Sequence, residues 1–133
     1  MKVSIYISLF VTLLSLQGFA GERDLEIKFT EATVVLKGII AAEEKHLEEM
    51  GSYISAMSSS EVRYNLEISI PLDSYFNYTI IFSNGCYRAT AELLKDVGKA
   101  NKGDRIIVTC DGTKEVLPSY SALKKYLKVF LKE

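Results

Sequence analysis

Apolar residues recur at Phe29, Ala32, Leu36, Ile39, Ile40, Leu47, Met50, Ile54 and Met57. Steps of three and four put them on one face of a long helix. A helix with one apolar stripe must bury that stripe against a second layer. The expected core-facing positions are Phe29, Ala32, Leu36, Ile39, Leu47, Met50 and Ile54. Thr30 offers a cap, but Leu25 extends the stripe toward an earlier start. Gly51 is a weak point, about 1 kcal/mol worse than Ala inside a helix. Ser58-Ser59-Ser60 ends the pattern.

The period then changes. Val62, Tyr64, Leu66, Ile68 and Ile70 alternate with Arg63, Asn65, Glu67 and Ser69, which predicts a half-buried strand closed by Pro71. Asn84-Gly85 sits between two alternating runs and predicts a tight hairpin. Counting outward from that turn sets Phe82 opposite Tyr87, Ile80 opposite Ala89 and Tyr78 opposite Ala91, all on one face. The small Ala89 and Ala91 leave room for a helix to lie close. Residues 95–104 form a polar connection. Arg105 to Cys110 reads as another strand, turned by Asp111-Gly112. A final helix is expected from a cap at Ser119 to about Lys132, with Lys124, Lys128 and Lys132 as a basic stripe.

The expected fold class is therefore α+β: a long N-terminal amphipathic helix on an antiparallel sheet of about four strands, with a short C-terminal helix. The 133 residues suit one modest domain. Residues 1–20 carry Lys2, a mainly apolar run from Val3 to Leu16, and Ala20 at the end. They read as an export signal, cut after Ala20 to leave 21–133; a retained anchor is the alternative. Losing Lys2 changes the net charge from −1 to −2, which gives no pull toward nucleic acid. The two cysteines, Cys86 and Cys110, are too far apart in sequence for a redox pair. In an oxidising compartment they are expected to form a structural bridge. With residues 86–93 antiparallel to 105–110, Cys110 is expected directly opposite Cys86.

Chemistry is sparse. Glu43 and His46 form E-x-x-H on one helical face, a pair that binds iron in four-helix carboxylate proteins. The further glutamates such sites need are not visible, so no metal or cofactor is expected. His46 is the sole histidine, and no motif pairs it with a nucleophile, so the chain is expected not to be an enzyme. Asn77-Tyr78-Thr79 matches a glycosylation sequon by chance. Glu43 falls on the apolar stripe, where a carboxylate needs a partner. That partner is a backbone amide of a neighbouring loop or a group on another chain, which makes Glu43 a candidate assembly contact.

The segment LKGIIAAEEKHLEEMGSY, residues 36–53, resembles the second half of the long helix in bacterial type IV pilins and pseudopilins. The resemblance rests on Leu36, Ala42-Glu43, Gly51 and Tyr53, with His46 where an aromatic is common. DSYFNYTIIF, CYRATAEL and GDRIIVTCDGTKE are similar to the strands that follow in that family. The likeness covers roughly residues 29–115. The N-terminus departs from it. Gly18-Phe19 imitates the pilin cut site, but Arg23 stands where the family has a glutamate, and the apolar run precedes the site. The resemblance implies an exported pilin-like subunit or accessory of a type IV pilus or related secretion filament. Its partners would be pilins or other filament subunits, including a truncated pilin chain that brings the apolar helix. The alternative is a secreted helix-on-sheet module that binds a peptide or small ligand.

Overall fold

The computed structural model describes residues 2–131; for residues 2–20, 129 and 131 it describes the backbone alone. Helix α1 spans Lys2–Met50. The expected export segment, residues 1–20, lies outside the described side chains. From Gly21 onward, Leu25, Phe29, Ala32, Leu36, Ile39 and Glu43 are buried at alternating steps of four and three. This is the stripe that faces the sheet. Leu47 and Met50 continue it, yet they are 40% and 71% exposed. Beyond Glu43 the body no longer covers the helix, so these two expected core positions form an overhang instead. Ile54 lies past the helix end and is half-buried.

The helix was expected to run to Met57 but stops at Met50. Gly51 takes φ 80°, a left-handed value, and its N–H donates to the Leu47 carbonyl at 2.9 Å. Glycine accepts this conformation without a side-chain clash, and here it stops the helix.

The expected strand at 62–70 is also corrected. Helix α2 occupies Ser59–Leu66. The Ser58 hydroxyl accepts the Glu61 N–H at 3.2 Å, and the Glu61 carboxylate accepts the Met57 N–H. This reciprocal cap prevails over an alternation that a short helix also satisfies. Val62 and Leu66, one turn apart, face inward, while Tyr64 is exposed. Arg63 secures the exit by donating from Nε to the Ile70 carbonyl at 2.9 Å and from Nη2 to the Pro71 carbonyl at 3.0 Å.

Four antiparallel strands follow in the order β1-β2-β3-β4: Phe76–Ser83, Cys86–Leu93, Arg105–Thr109 and Lys114–Leu117. The hairpin register is the expected one, with Phe82 opposite Tyr87, Ile80 opposite Ala89 and Tyr78 opposite Ala91. Asn84 and Gly85 both take positive φ. The outward N–H groups of the edge strand β1 are all bonded. Ser74 Oγ accepts from Phe76, Ser59 Oγ from Tyr78, the Ala56 carbonyl from Ile80 and Ser55 Oγ from Phe82. A serine-rich crossing segment thus closes an edge that would otherwise invite another strand.

Cys86 and Cys110 form a disulfide with Cα atoms 5.5 Å apart. They are not directly opposite. Arg88 pairs with Thr109, and the Cys110 N–H donates to the Tyr87 carbonyl at 3.1 Å. Cys110 lies just past β3 in the turn, so the bridge spans a one-residue offset. In that turn Asp111 Oδ1 accepts from the Thr109 hydroxyl and, at 3.0 Å, from the Thr113 N–H. These bonds hold the Asp111 carboxyl down at about 2.

The last helix, α3, covers Lys124–Leu131 and starts later than expected. Ser121, not Ser119, organises the approach. Its hydroxyl donates to buried Asp104 and accepts the Leu123 N–H at 3.2 Å. Leu123 and Phe130 are buried, and Phe29 meets Tyr126 with ring centroids 5.6 Å apart. Of the basic stripe, Lys124 and Lys128 are exposed; Lys132 lies outside the described residues.

At the opposite end from the overhang, Gly98 approaches α1 closely. A Cβ there would sit 3.0 Å from the Gly21 carbonyl oxygen, at a φ of +56°. Gly98→Ala is therefore expected to destabilise the protein by about 1–3 kcal/mol. An unchanged denaturation midpoint would show that the loop moves aside freely.

Candidate functional site

The candidate contact residue Glu43 and its E-x-x-H companion His46 lie near the C-terminal end of α1. Glu43 is fully buried there. Its Oε1 accepts the Ile54 N–H at 3.0 Å, and its Oε2 has no hydrogen-bond partner among the described residues. His46 Nδ1–H donates to the Ser52 carbonyl. Both side chains therefore reach across the chain reversal that Gly51 begins. Burial raises the Glu43 carboxyl above its ordinary value, against smaller lowering effects from the Ile54 N–H and nearby His46.

Tyr53 closes the reversal against the sheet. Its ring meets Tyr87 edge-on at 4.9 Å and Phe82 at 6.0 Å. Such pairs contribute about 0.5–1.5 kcal/mol each beyond the area they bury. The Tyr87 hydroxyl is pushed up to about 12, by burial first and then by Glu43, Glu44 and Tyr53. Tyr53→Ala is expected to lower stability by about 3 kcal/mol, at the low end for aromatic truncation of a half-buried ring. A change below roughly 0.5 kcal/mol, the surface range, would show that the reversal holds without it.

Glu43, expected as a candidate assembly contact, is buried in this chain, and its carboxylate bonds to its own chain's backbone. Of the two partners its position allowed, the loop amide is the one it has. What α1 does present outward is apolar surface. Ile27 and Val34, one heptad apart on the side away from the sheet, are 55% and 65% exposed. Leu47 and Met50 add the overhang. In the sequence the row of Ile27 and Val34 is shorter than the core stripe and lies opposite it.

The loop edge around residues 72–78 and 95–103 is mixed. Leu72 stands almost fully exposed. The Tyr75 ring lies between two ammonium groups, Lys28 Nζ at 4.2 Å and Lys95 Nζ at 4.3 Å from its centre. Asn77, the sequon asparagine, is engaged internally, its Oδ1 accepting from both the N–H and the hydroxyl of Ser59 at 3.2 Å. Among the described residues, no three His, Cys, Asp or Glu side chains are grouped to hold a metal ion. Among them, too, no helix is long and apolar enough to cross a membrane.

No protein-family model, no curated protein and no solved structure matches the chain.

Proposed function

We propose that this chain is an exported, pilin-like structural or accessory subunit of a type IV pilus or related secretion filament. It joins the filament through protein–protein contacts with an apolar-helix pilin partner. The observation that carries this reading is the surface of α1. The helix buries one stripe in its own sheet, yet leaves Ile27 and Val34 exposed on its back and Leu47 and Met50 exposed on its overhang. Exposed apolar side chains on two faces of one helix offer contacts to helical neighbours. The order of helix, strands and closing helix agrees with the resemblance in residues 36–53 and in the strands after them. The Cys86–Cys110 bridge supports export, because such bridges persist in oxidising compartments.

A photo-crosslinking residue at Val34, introduced in the native host, tests the proposal. The expected adduct joins this chain to a filament subunit with an apolar N-terminal helix. Uncrosslinked monomer in cells that bear the filaments overturns it. So does an adduct only with a non-filament protein, the result that a secreted binding module would give.

A further inference from the structure

The buried Glu43 is larger in consequence than a helix-end contact. A carboxylate at zero exposure is costly unless paired with a cation or several donors. Among the described residues, one oxygen receives one amide and the other receives nothing. The titratable groups that act with it are His46 on α1 and Tyr87 on β2. No lysine or arginine is among these groups. The amide it holds, Ile54, belongs to the segment that must move if the overhang is to separate from the body.

We propose that Glu43 is a proton-operated latch on the C-terminal end of α1. Protonated, the carboxyl keeps Oε1 as an acceptor for the Ile54 N–H and carries no buried charge, so the reversal 51–54 stays closed. Ionised, the carboxylate gains hydration by leaving its site, and the reversal opens. Opening frees Tyr53 from Tyr87 and Phe82 and uncovers apolar surface beside Leu47 and Met50. The sign follows from burial. The closed state binds the proton more tightly than the open state, so closure is favoured at low pH and lost as pH rises. Between the ordinary carboxyl value and the raised one, the opening constant climbs by up to about tenfold per pH unit, and it is flat on either side. The latch stands apart from filament membership, and its test needs no partner.

The test is the protection factor of the Ile54 amide, measured by NMR hydrogen exchange from pH 4 to pH 8. Protection in the natural chain should fall several-fold as pH rises across this range. In Glu43→Gln, which keeps a carbonyl acceptor and cannot ionise, it should stay level within about twofold. A level profile in the natural chain overturns the latch. An equal fall in both proteins assigns the titration to another group, such as His46, and overturns it as well. If Glu43→Gln proves poorly folded, the carboxyl ¹³C shift of Glu43 in the natural chain decides. Titration that does not track the Ile54 protection overturns the proposal.

Discussion

Leu36→Asp is expected to abolish the cooperative thermal transition, and Met50→Asp to leave it within a few degrees of its original midpoint. Leu36 is fully buried on the α1 stripe, against the face that carries Ala89 and Ala91. Aspartate there loses the leucine contacts, about 2–5 kcal/mol by the measure of alanine truncation. It also buries a charge without a partner, which costs several kcal/mol more. A domain of this size is stable by about 5–15 kcal/mol, so the sum takes most or all of it. Met50 sits on the same stripe by sequence but is 71% exposed, and substitutions at such positions usually stay within about 0.5 kcal/mol. From periodicity alone both substitutions are expected to unfold the protein. The pair of melting curves separates the two accounts. A normal transition in Leu36→Asp would place the sheet on another face of α1, and an unfolded Met50→Asp would mean that the overhang is covered.

Reduction of the Cys86–Cys110 bridge gives the second large effect. The cysteines are separated by 24 positions, and opening a loop of that size costs about 3 kcal/mol of chain-entropy stabilisation. For a protein of this length the melting midpoint should fall by roughly 10–15 °C. Denatured, unreduced protein should show no free thiol. Two free thiols, or an unchanged midpoint after reduction, would refute a structural role for the bridge.

The features legible in the sequence are those that rest on local chemistry. The Asn84-Gly85 turn set the hairpin register through positive φ at both residues, and period two did the rest. The stripe through Phe29, Ala32, Leu36 and Ile39 identified the covered face of α1. Two elements turn on competing local signals. The Ser58–Glu61 cap makes a helix of a segment whose apolar residues also alternate from Val62 to Ile70. Gly51 is both a costly residue inside a helix and a ready left-handed stop, and here it is the stop. Strand β4 has four residues, too few to establish a period.

What the sequence determined by itself is the alphabet of elements. It set out a long one-sided helix, a tight hairpin, strands able to approach that helix through small alanines, and a cysteine pair able to bridge neighbouring strands. These follow from φ preference and from periodicity, which act within a few residues. Only the tertiary structure decided how far along α1 the sheet reaches. That one length leaves Leu47 and Met50 in solvent, encloses Glu43 as the last covered position and turns its carboxyl toward the Ile54 amide. Periodicity reports the direction in which a side chain points; whether anything lies there depends on where a distant strand ends.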